Sequence, residues 1–108
     1  MTVQELAKAL SLEVLAEPEP DRKAAGGYTG DLLSWVMGRA AADNVWVTIM
    51  TNINTVAVAT LVDVACVIIA DSAEIDDDVV AKAAEKGVNL YRSAASAFSL
   101  CASLASLL

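Results

Sequence analysis

Residues 45–70 read VWVTIMTNINTVAVATLVDVACVIIA, and the parsing of this stretch decides the fold. Its two ends, Val45-Trp46-Val47-Thr48-Ile49 and Ala65-Cys66-Val67-Ile68-Ile69, are runs of β-branched and apolar residues without a polar alternation. Such runs suit strands covered on both faces, because a half-exposed strand alternates apolar with polar positions. The residues between, 54–61, have helical texture and follow the polar junction Thr51-Asn52-Ile53-Asn54-Thr55. A membrane span over residues 55–70 is the competing parse. It falls short of the ~20 residues a span requires and carries Asp63 in its middle. Strand, helix and strand with short connections define a parallel unit with a right-handed crossover. Val47, Ile49, Val67 and Ile69 are then expected to be nearly fully buried, with Cys66 beside them.

Working outward, Val88-Asn89-Leu90-Tyr91 is a third run of the same kind. A helix over residues 77–86 precedes it, with Gly87 as the left-handed residue just past the helix end. The chain closes with a helix over residues 95–107. Toward the N-terminus, Thr2 and Glu5 have the spacing of a capping box for a helix over residues 3–10. A short strand over 12–15 follows, stopped by Glu17-Pro18-Glu19-Pro20, because proline cannot donate to a ladder. A helix over 31–41 takes Thr29 or Asp31 as its N-cap. With no internal repeat or linker, residues 1–108 are expected to form a single α/β domain. Its sheet is mostly parallel and flanked by helices.

A net charge of −7 provides no basic stripe for a nucleic-acid backbone or an anionic membrane surface. There is no histidine, and Cys66 and Cys101 sit in apolar settings without a CxxC spacing. Zinc, haem and Cys-His chemistry therefore lose their usual ligands and bases. Two free thiols, and a start without a basic region leading into an apolar one, point to the cytoplasm. Hydrophobic residues make up 56% of the chain and charged ones 19%, which leaves apolar surface to be shared with another chain. Residues 93–108, SAASAFSLCASLASLL, carry no charge at all. Wound as a helix, they place Ser96, Ser99, Ser103 and Ser106 on one stripe and apolar residues around most of the rest. A homodimer through this helix is the expectation, with the helix of Trp35 and Val36 contributing.

Three places hold groups able to carry chemistry. DRKAAGGYTGD, residues 21–31, concentrates Gly26, Gly27 and Gly30, three of the five glycines, before a helix N-terminus. Either they serve positive φ and close packing, or their N–H groups hold an anion with help from Arg22 and Lys23. In the junction at 51–55, Asn52, Asn54 and Thr55 lie where parallel sheets bind ligands, beyond the carboxyl ends of strands; helix capping explains them equally. The acidic run 71–78 lacks any cation-loop spacing and suits a helix's first turn. No Walker motif, dinucleotide fingerprint, Ser-His-Asp set or GxSxG is present, so the chain reads as a non-enzyme without metal or cofactor.

DRKAAGGYTGDLLSWVM followed by VWVTIMTNINTVAVATLVDVACVIIADS resembles the DRTGG domain, from the first helix to the last strand. Asp21 and Arg22 match the family's Asp-Arg, Gly26 and Gly27 its Gly-Gly, and Gly30-Asp31 the start of its helix. Asn54 with Val56-Ala57-Val58-Ala59 matches the segment after the central strand. Asn52 stands where relatives often carry histidine, and Lys23-Ala24-Ala25 replaces the literal motif junction. The family includes stand-alone bacterial and archaeal proteins and modules appended to phosphotransacetylases and to pyrophosphatases bearing CBS domains. Its fold is similar to the N-terminal domain of HPr kinase/phosphorylase. The resemblance implies a non-enzymatic regulatory or ligand-sensing module for a small phosphate-bearing or nucleotide ligand. The ligand-contacting residues would be Arg22, Gly26, Gly27, Tyr28, Gly30, Asn52, Asn54 and Thr55. A scaffold docking on a metabolic or redox enzyme, with no small ligand, is the alternative.

Overall fold

A computed structural model describes residues 1–108. The elements run α1 (Val3–Ala9), β1 (Glu13–Ala16), β2 (Gly27–Thr29), α2 (Leu33–Arg39), β3 (Val45–Thr48), α3 (Ile53–Val62), β4 (Cys66–Ile69), α4 (Asp77–Glu85), β5 (Leu90–Arg92) and α5 (Ala97–Leu107). All five strands join one sheet in the order β1-β5-β4-β3-β2. β2, β3, β4 and β5 are parallel, and β1 pairs antiparallel with β5.

The central strands bury both faces, as their sequences require. Val45, Val47, Cys66, Ile68 and Tyr91 meet α1 and α5 on one side. Trp46, Val67, Ile69 and Leu90 meet α2, α3 and α4 on the other. Alternate residues feed two separate cores, which is why no polar position interrupts these strands. The polar groups that are buried have partners. Asn89 bonds to the backbone of Glu19 at both its amide oxygen and nitrogen and to Ala65 O, fixing the proline loop against β4 and β5. Tyr91 donates to Glu17 Oε2 at 2.6 Å; burial, then this carboxylate, push its hydroxyl pKa upward.

Local signals behave as the sequence predicts at several ends. Thr2 and Glu5 form the capping box of α1. Gly87 has φ +74° just past α4. Three expectations are corrected. The glycine stretch contributes a strand, β2, because Tyr28 and Thr29 suit a strand and pairing with β3 outweighs the glycines around them. α2 starts later than expected, at Leu33, with Leu32 at its N-cap and no side-chain cap. Ile49 is 46% exposed rather than buried, since β3 ends at Thr48 and the chain has left the shelter of the helices. In α5, Leu100 and Leu104 bury against the protein's own core, while Phe98 is 84% exposed.

Candidate functional site

The stretch 21–31 splits between two environments. Arg22 lies at the amino end of the parallel strands and gathers the loops that enter β2, β3 and β4. Its Nη1 donates to Asp63 Oδ1 at 2.8 Å, and its Nη2 to Asp43 Oδ1 at 3.0 Å and Asp63 O at 2.7 Å. The Glu19 carboxylate stands 3.7 Å away. Asp43 and Asp63 both adopt left-handed backbone, φ 68° and 66°. Their main chains are also linked, Asp43 N to Asp63 O at 3.0 Å and Ala25 N to Asp43 O at 2.8 Å. Burial draws the Arg22 pKa down, but the bonds from Asp63 and Asp43 outweigh it and hold the guanidinium more firmly charged than usual. This arginine's donors are committed to the fold.

From Gly26 onward the chain becomes the edge of the sheet. Gly26 takes φ +69°, the left-handed region that glycine enters without strain. At Gly27 an added Cβ would stand 3.2 Å from Val45 O, so a side chain here would push β2 off β3. Val45 N bonds to Gly26 O and Gly30 N to Val47 O. In a parallel ladder the intervening Gly27 and Thr29 then direct their N–H and C=O groups away from the sheet. Beside this free edge runs a groove of ≈ 280 Å³ lined by Gly26, Gly27 and Tyr28 and, from α5, Cys101, Leu104 and Leu108. No charged residue lines it.

Asn52, Asn54 and Thr55 lie at the other end of the strands. The Asn52 side chain caps α3 by accepting from Asn54 N at 2.9 Å. The Thr55 hydroxyl donates to Met50 O at 2.9 Å. Asp31, expected at the α2 cap, instead accepts from Thr48 Oγ1 and Ile49 N, pinning the β2–α2 loop to the end of β3. Asp71 and Ser72 also adopt positive φ, and their N–H groups donate to Ala95 O and Ser93 O. In the acidic run, Asp77 and Asp78 occupy the first turn of α4, where the helix dipole favours them.

The eight residues singled out from the sequence therefore do not converge. Gly26, Gly27 and Tyr28 share the edge groove, and Arg22 belongs to the amino rim. Gly30 sits at the carboxyl end of β2, its carbonyl held by Trp46 Nε1 at 3.0 Å. Asn52, Asn54 and Thr55 form a helix start. Asp43 and Asp63, the partners of Arg22, were not singled out. The signal available was an acidic residue two or three positions ahead of each long apolar strand.

The two cysteines differ. Cys66 is buried, and burial pushes its thiol up to about 12, which makes it a poor nucleophile. Cys101 is half-buried on the groove. No group of three or more Cys, Asp or Glu side chains is placed to hold a metal ion. No helix is long and apolar enough to cross a membrane.

A mostly parallel five-stranded sheet between two helix layers, closed at one edge by an antiparallel strand, is a DRTGG-like α/β fold. No family model matches the sequence, and no curated protein matches it. Among solved structures, the chain is similar to the CBS and DRTGG domains of the regulatory region of Clostridium perfringens pyrophosphatase, complexed with the activator diadenosine tetraphosphate. The TM-score is 0.70 at 10% identity, over 94% of this chain and 44% of that one. The likeness is one of fold, and this chain spans less than half of that regulatory region.

Proposed function

We propose that this chain is a non-enzymatic regulatory module of the cytoplasm that senses a small phosphate-bearing or nucleotide ligand and works as a homodimer. The observation that carries this reading is the match of nearly the whole chain to part of a nucleotide-responsive regulatory region. The dimer reading is supported by α5, whose Phe98 remains in water, and by Leu108 just past its end, which is exposed on the groove beside the free β2 edge. A charge-free face is where two copies of a chain of net charge −7 meet with least repulsion. The same uncharged groove favours a second reading, a scaffold docking on a metabolic enzyme without any small ligand.

Thermal unfolding with AMP, ATP, diadenosine tetraphosphate and pyrophosphate tests the sensing reading. A ligand present at about 100 times its Kd adds about 2.7 kcal/mol of stability and raises Tm visibly. An unchanged Tm with all four overturns ligand sensing and leaves the scaffold. Light scattering at micromolar concentration tests assembly: twice the chain mass is expected, and a monomer overturns the dimer.

A further inference from the structure

A second cleft lies between α3 and α4, away from the glycine stretch. It has a volume of ≈ 230 Å³. Its floor is Val56 and Ala57, Ile53 stands at one end, and Lys82 and Lys86 line the α4 side. The two lysines are four residues apart and so share one helix face. Asn54 and Thr60 add polar atoms to the rim. The Thr60 hydroxyl donates to Val56 O at 2.9 Å, which leaves its lone pairs able to accept. No carboxylate lines the cleft.

Two features mark this place. First, α3 reads INTVAVATLV and has no charged residue, yet Ile53 is 46% and Leu61 71% exposed. An exposed helix face normally carries charge. Second, the protein has only seven cationic side chains. Arg22 and Arg92 are bonded to carboxylates, and Arg39 lies 3.7 Å over the Trp35 ring. Lys82 reaches Glu85 only at 3.6 Å, and Lys8, Lys23 and Lys86 make no ion pair; Lys82 and Lys86 stand together in this cleft. Two lysines without a close carboxylate bond and a charge-free helix face adjoin one another here. A bare anion would satisfy the lysines and leave the floor wet; an apolar molecule would do the reverse.

We infer that this cleft binds a small organic phosphate with a flat apolar body. The body lies on Val56, Ala57 and Ile53, and the phosphate sits between Lys82 and Lys86. Asn54 and Thr60 hydrogen-bond to polar edges of the body. The inference rests on the sensing reading only in expecting a phosphate-bearing ligand, and it names a different place from the glycine stretch.

The probe is naphthyl phosphate, followed through backbone amide NMR shifts, with inorganic phosphate and naphthol as controls. Saturating shifts centred on Ala57, Thr60, Lys82 and Lys86 are expected, with each control at least about tenfold weaker. The double variant K82E/K86E should lose about tenfold or more in affinity. A57E, which places a negative charge on the floor, should abolish binding while its Tm stays near that of the parent. Shifts centred on the β2–α5 groove, no saturation, or full affinity in K82E/K86E each overturn the inference. If a nucleotide raises Tm but shifts residues elsewhere, sensing stands and this cleft falls. If naphthyl phosphate fills the cleft and no nucleotide raises Tm, the cleft stands and nucleotide sensing falls.

Discussion

Residues 21–25 and 26–29 are neighbours in sequence and opposites in use. Around Arg22 the protein uses its own groups: the guanidinium holds two aspartates and a carbonyl, and those aspartates hold the loops that feed three strands. Around Gly27, the polar groups of the backbone and the apolar wall of α5 are left facing outward. A motif with both a charge and glycines invites reading as one anion site. Here the charge organises the rim and the glycines shape an edge, so recognition and stability belong to different halves. The cysteines repeat the contrast. Cys66 is sealed in the core near the Arg22 rim, and Cys101 opens on the groove.

The largest effect that would sharpen this contrast is alkaline. The Cys66 thiol titrates near 9.0 when unfolded and about 12 in the fold. Between those values the unfolded chain releases a proton that the folded one keeps. Stability is therefore complete below pH 9 and falls as pH rises toward 12, by about 1.4 kcal/mol per unit. Tyr91, raised by burial and by Glu17, adds to the fall above its usual range. Urea midpoints against pH measure it, and Cys66→Ala should flatten the first part of the slope. A thiol reagent at neutral pH should label Cys101 and spare Cys66. Equal labelling would break the contrast.

Next in size is Arg22→Met. It keeps the apolar stem but leaves the Asp43 and Asp63 carboxylates facing each other across the loops without their shared cation. Both aspartates are largely exposed, which limits the loss to about 2 kcal/mol, read from urea unfolding. A variant as stable as the parent would free Arg22 for a ligand and restore the single-site reading. The smallest of the three is Gly26→Ala. A left-handed backbone and a Cβ 3.2 Å from Asn44 Nδ2 should cost about 1 kcal/mol. No loss there would mean that the turn into β2 relaxes freely.

Much of the fold was legible because β3 and β4 are short, apolar on both faces and separated by one helix. That pattern has few other solutions. Gly87 and the Thr2–Glu5 box likewise announce themselves within a few residues. β2 was hidden because it is three residues long with glycines on either side of Tyr28-Thr29, and its conformation is fixed by Val45–Val47 alongside. The antiparallel sense of β1 was equally silent, since four residues carry no mark of direction. At the site, the glycines were visible but their division of labour was not. The partners of Arg22 lie 21 and 41 residues downstream. Lys82 and Lys86 stood four apart in plain view, but the cleft that gives the pair meaning needs α3 beside it.

The pairing of β1 with β5 also sets an order of events. Glu13 sits opposite Arg92, and its carboxylate takes the Arg92 guanidinium at 2.8 and 3.0 Å across 79 residues of chain. A ribosome releases the first partner long before the second exists. The four parallel strands are able to assemble progressively, but the outermost one must wait for the last strand to be made. Closing so long a loop delays the search without altering its end point much, since the entropic cost grows only slowly with length. β1 is thus made early and takes its place in the sheet only once β5 exists.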